Sequence, residues 1–85
     1  MKKEIVAVIW NDASEYEGEE FNDETFELSP TFQIGLLHGE DKDKVRIVHS
    51  YTLDHEEHDF VVIPKSLIIK RKTLGTFDTK TKEIC

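Results

Sequence analysis

The stretch that most restricts the fold runs from Phe60 to Lys72 and reads Phe-Val-Val-Ile-Pro-Lys-Ser-Leu-Ile-Ile-Lys-Arg-Lys. A run of β-branched residues stops at Pro64, passes through Lys65 and Ser66, and resumes as a second β-branched run. Proline donates nothing to a sheet ladder and holds φ at about −65°, so one strand ends there. The gap between the runs is too short for an α-helix and long enough for one 3₁₀ turn. The spacing therefore predicts strand, one-turn helix, strand.

The rest of the chain supplies the other strands. Ile5-Val6-Ala7-Val8-Ile9-Trp10 is a continuous apolar run, which predicts a strand covered on both faces, since alternation would leave one face wet. A small barrel has one inside, so the outer face of this strand requires a lid, from the following loop or from another subunit. Pro30 opens a second strand, Thr31 to His38, with Phe32, Ile34 and Leu36 on one face and Gly35 marking a bulge or bend. Lys44 to Leu53 alternates, placing Val45, Ile47, Tyr51 and Leu53 on a common face with His49 between them. Phe60 to Ile63 is a fourth strand and Leu67 to Leu74 a fifth. Residues 76–85 read as a polar tail or a short extra strand. The expected fold is all-β, a small five-stranded SH3-like (Sm-like) barrel over residues 1–75. It has a long first loop and a 3₁₀ turn before the last strand.

A chain of 85 residues makes one domain that buries only about 60–65% of its unfolded surface. Its core is correspondingly marginal, and assembly into a homo-oligomer is an expected alternative to a lone monomer. No apolar run reaches the ~18 residues of a membrane span, so no membrane partner is expected. The single cysteine, Cys85, can neither staple the fold nor hold a structural metal alone, which fits a reducing compartment and a cytoplasmic location. A net charge of −7 repels phosphate backbones and argues against direct nucleic-acid binding.

That charge is concentrated. Eight acids and no base lie between Asp12 and Glu27: Asp12, Glu15, Glu17, Glu19, Glu20, Asp23, Glu24 and Glu27. Phe21, Phe26 and Leu28 punctuate them and are the expected lid over the first strand. A loop of this length in a compact domain is often functional. The candidate binding residues are Trp10, Asp12, Glu15, Glu17, Glu19, Glu20, Phe21, Asp23 and Glu24. In this reading the carboxylates are spaced like phosphates, and the aromatic side chains act as apolar anchors. Trp10 reads equally as a rim anchor and as a core plug. The plainer reading of the segment is a solvated loop.

Other chemistries are poorly served. Asp54-His55-Glu56-Glu57-His58-Asp59 carries zinc-type donors, but its histidines are three apart in a turn instead of four apart on a helix, so no metal is assigned. His49 reads as a half-buried structural imidazole, and Ser50 and Tyr51 beside it lack a nucleophile elbow. The four glycines are isolated and form no phosphate cradle. Six of the eleven bases lie at Lys65, Lys70, Arg71, Lys72, Lys80 and Lys82. Alternating Lys70 and Lys72 fit the wet face of an edge strand. Neither catalysis nor a cofactor is expected.

The order of these pieces resembles that of small proteins encoded by bacteriophages and prophages. The resemblance rests on Trp10-Asn11-Asp12-Ala13, Gln33-Ile34-Gly35-Leu36-Leu37, Val48-His49-Ser50 and Ile63-Pro64-Lys65, and spans roughly residues 5 to 74. It implies a phage origin, a bacterial host cytoplasm and an SH3-like fold, and it carries no activity with it. The functional expectation is a non-enzymatic binding protein whose acidic loop engages a basic surface on a host protein, as a nucleic-acid mimic or inhibitor. The alternatives are a structural homo-oligomer of small barrels and a small-molecule or nucleotide-sequestering protein, the latter requiring a pocket between subunits lined by Trp10, Ser50 or Lys65.

Overall fold

The computed structural model describes residues 1–12, 29–54 and 57–85. Five strands form one antiparallel sheet: β1 (Lys2–Asp12), β2 (Ser29–Glu40), β3 (Lys44–Thr52), β4 (Glu57–Pro64) and β5 (Ile68–Asp78). A 3₁₀ turn over Lys65–Leu67 separates the last two strands, at the corner that the proline spacing predicts. The strand order is β4-β3-β2-β1-β5, so β4 and β5 are the edges, and no ladder among the described residues joins them into a closed barrel.

The corner explains this order. Pro64 sits at φ −61° and ψ 131°, still extended, and the Ile68 N–H closes the turn on the Lys65 carbonyl. The Lys65 N–H donates to the Asp43 carbonyl at 2.8 Å, which anchors the turn beside the β2–β3 connection. The chain then leaves β4 behind and pairs with β1 from Trp10↔Ile68 to Lys2↔Asp78.

Val6, Val8 and Trp10 of β1 pack with Val45 and Ile47 of β3 and Ile63 of β4. Each fully buried aliphatic side chain here contributes roughly 1.5–3 kcal/mol. The continuous run in β1 thus divides by alternation: 6, 8 and 10 face the core, while Ile5, Ala7 and Ile9 are half-buried on the outer face.

Of the two expected faces, the one in β2 holds and the one in β3 does not. Phe32, Ile34 and Leu36 do share a face, but they oppose Ile9, Ala7 and Ile5, on the side away from the core. Directly opposed residues stand on the same side of a sheet, so Thr31, Gln33 and Gly35 are the ones set against Trp10, Val8 and Val6. Phe32 is consequently 65% exposed and Ile34 45%. No register shift occurs at Gly35. The glycine is required because a Cβ would lie 2.3 Å from the Val48 carbonyl oxygen and 2.8 Å from Ile47 Cγ2.

In β3 the expected common face of Val45, Ile47, Tyr51 and Leu53 breaks at His49. The register with β4 shifts between Val48 and Ser50, and the extra residue reverses the alternation beyond it. Tyr51 therefore opposes His58, on the outer face with Val48 and Phe60, and His49 is exposed instead of half-buried.

β5 continues past Leu74 to Asp78, and the residues after it turn back along it. Thr76 and Cys85 exchange backbone hydrogen bonds at 2.9 Å each, and Ile84 bridges to Phe77. The Asp78 carboxylate accepts from the Lys80 and Thr81 N–H groups and from the Met1 amino group, which together hold its pKa down at about 2.

Candidate binding surfaces

Trp10 and Asp12 are the two expected binding residues that fall within the described part of the chain. Glu15, Glu17, Glu19, Glu20, Phe21, Asp23 and Glu24 lie outside it, as does the expected lid of Phe21, Phe26 and Leu28. Trp10 is 8% exposed and packed in the core, and its indole Nε1 is buried without a hydrogen-bond partner among the described residues. Asp12 ends β1 directly opposite Ser29, so the ladder holds both ends of the acidic segment side by side.

The outer face next to those ends is apolar and basic. Ala7 opposes Ile34 and Lys72, and Ile9 opposes Phe32 and Lys70. A groove of 390 Å³ runs between Ala7, Ile9 and Phe32 on one side and Lys70 to Lys72 on the other. Sequence alternation finds this apolar stripe but assigns it no side of the sheet.

The basic cluster splits by the pleat. Lys70 and Lys72 are exposed on the outer face of an edge strand, whereas Arg71 turns to Glu40 at the end of β2. The guanidinium donates to both Glu40 oxygens at 3.0 and 2.9 Å, and Lys65 Nζ lies 2.7 Å from Oε2. Hydrogen bonds from Arg71, then Lys65, hold the Glu40 carboxyl at about 2 against an ordinary 4.5.

At the other end of the same outer face, side chains from separate strands meet. His38 of β2 and His58 of β4 reach across β3 to a ring separation of 5.4 Å. His58 stacks on Tyr51 at 6.2 Å and lies 5.7 Å from Phe60, over which the Arg46 guanidinium sits at 4.9 Å. Burial first, then the charges of Lys3, His58 and Arg46, hold the His38 imidazole below its ordinary 6.5. None of Lys3, His38, Arg46 or His58 has an ion pair among the described residues. The sequence gives no hint of the cluster, because His38 and His58 belong to strands that are not neighbours.

Tyr51 also borders an apolar cleft of 370 Å³, formed by Ile5, Leu36, Val48, Phe77 and Ile84 with His49 and Ser50 at its side. Of the acidic hairpin turn weighed for metal, His55 and Glu56 lie outside the described residues, and His58 stands in β4. Among the described residues no three His, Cys, Asp or Glu side chains group as a metal site. Comparison with protein-family models, with curated proteins and with solved structures finds no match to this chain.

Proposed function

We infer that the chain is a non-enzymatic, phage-type binding protein that acts in the bacterial host cytoplasm on a host protein with a basic surface. The observation that carries this reading is the exposed Phe32 and Ile34 on the β1–β2 ladder, beside the ends of the segment that holds eight acids. Exposed aromatic area next to concentrated charge combines an apolar anchor with long-range steering. Loop acids spaced like phosphates then compete for a partner's nucleic-acid site. The order β4-β3-β2-β1-β5 and the 3₁₀ corner support an SH3-like architecture as the scaffold.

Affinity capture from bacterial lysate, washed at low and then high salt, tests it. One host protein retained at low salt and shed at high salt is expected, and joint reversal of Glu15, Glu17, Glu19 and Glu20 to lysine abolishes capture. Undiminished capture by that folded variant overturns the reading. A second reading, a homo-oligomer of small barrels, is favoured by the edge strands β4 and β5, neither of which has a further named strand beside it among the described residues. A monomeric mass at high micromolar concentration counts against it.

A further inference from the structure

We propose that the outer face around His38, Arg46 and His58 binds a small anion carrying an aromatic ring, of which a nucleoside monophosphate is the simplest example. The proposal is independent of the acidic segment, whose flanking residues Asp12 and Ser29 pair at the opposite end of the β1–β2 ladder.

Two rows of side chains define the site. Lys3, His38 and Arg46 come from β1, β2 and β3, and each is two residues from an apolar neighbour on the same side of its strand: Ile5, Leu36 and Val48. The cationic row therefore stands one pleat step from the floor of the 370 Å³ cleft. That volume lies within the range of small-ligand sites. His58, Phe60 and Tyr51 add rings that flank the floor.

The electrostatics point to an anion. Four basic side chains converge without an acidic partner among the described residues, on a chain whose net charge is −7. Burial, and then repulsion from the other three, opposes protonation of His38. Glu57 and Asp59 alternate with His58 and Phe60 along β4 and line a neighbouring groove with them, Ser50 and Thr52, but neither forms an ion pair with His58 among the described residues. An anion near Lys3, His38 and Arg46 relieves the repulsion and favours the imidazolium, so binding takes up protons. A flat apolar ring suits the rest, because Tyr51 and Phe77 line the cleft and aromatic side chains are sequence-tolerant partners for a stacked base. A long polyanion is disfavoured by the net charge, whereas a single phosphate meets only the local cations.

The test is titration of the full chain with AMP, with adenosine and with inorganic phosphate, followed through the imidazole proton resonances of His38 and His58. AMP is expected to move both resonances and to bind at least tenfold more tightly than either adenosine or phosphate. Binding is expected to be tighter at about pH 6.5 than at about pH 8, since the bound anion favours the His38 imidazolium that burial and the neighbouring charges otherwise oppose, and the phosphate remains largely dianionic. Arg46→Gln, which keeps most of the stem over Phe60, is expected to weaken AMP at least tenfold. Unmoved His38 and His58 resonances at about millimolar AMP, a concentration that would half-fill even a site with a Kd of about 1 mM, overturn the proposal. So does equal binding of AMP and phosphate, or an Arg46→Gln protein that binds AMP like the parent.

Discussion

Arg71 grips Glu40 through two nitrogens, at 2.9 and 3.0 Å, across 31 positions of sequence. Lys65 adds a contact at 2.7 Å, so the 3₁₀ corner, the end of β2 and the edge strand β5 are joined through one carboxylate. The three side chains are 31–34% exposed, which limits what the cluster is worth.

Glu40→Gln is expected to cost about 1 kcal/mol at neutral pH, less than a dry site would give because solvent screens the cluster. The folded carboxyl titrates at about 2 and the unfolded one at 4.5. A depressed folded pKa means that the stabilisation is complete above the unfolded value and fades as pH falls from 4.5 to about 2. Melting curves of both proteins should thus differ most near neutrality and converge towards pH 2. A constant offset across that window would detach the effect from Glu40 ionisation.

Gly35→Ala is expected to destabilise the domain by about 2–3 kcal/mol, in the range for overpacking a tight contact. The new methyl group would sit 2.3 Å from the Val48 carbonyl oxygen, a backbone atom that no rotamer change can move. Denaturant titration measures the loss, and an unchanged midpoint would mean that β2 and β3 separate readily.

Ile63 is fully buried where β4 meets the core. Its truncation to alanine should cost roughly 2–5 kcal/mol. A small domain has a total stability of only about 5–15 kcal/mol, so Ile63→Ala should be largely unfolded at 37 °C if the parent lies at the low end. Circular dichroism with heating reads this directly.

Gly75→Ala should release the terminal hairpin while leaving the sheet folded. A Cβ there meets the Cys85 carbonyl oxygen at 2.2 Å, the same oxygen that accepts from the Thr76 N–H. Hydrogen exchange should quicken at the Thr76, Asp78 and Cys85 amides, which bond within this hairpin, and stay slow at Val8 and Ile47.

Phe32→Ser removes apolar area that the fold leaves mostly exposed, so its cost in stability should be within about 0.5 kcal/mol. Under the proposed binding role, capture of the host partner should fall by tenfold or more. Loss of stability in step with capture would show Phe32 to be structural.

Much of the candidate site was not legible in the chain. Alternation identifies Phe32, Ile34 and Leu36 as one face, yet alternation is symmetric and names neither side as inner. Only the pairing of Val6 with Gly35, and the close approach of β3 to that glycine, sends the apolar stripe outward. In β3 a single extra residue near His49 brings Tyr51 towards His58, and a strict period-two reading puts it on the opposite face. The His38–His58 contact and the Glu40 clamp arise between residues 20 and 31 positions apart, for which local pattern carries no signal.

The sequence by itself determined what depends on local backbone chemistry. Pro64 ends a strand because it lacks an N–H, the short Lys65–Leu67 gap admits one 3₁₀ turn, and β-branched runs on both sides make the chain all-β. Tertiary structure alone decided the strand order, the inner side of β2, and the gathering of unpaired bases above an apolar cleft. The bases are unpaired among the described residues, and all three outcomes depend on which strands pair and in which register, a choice made by packing across the whole sheet.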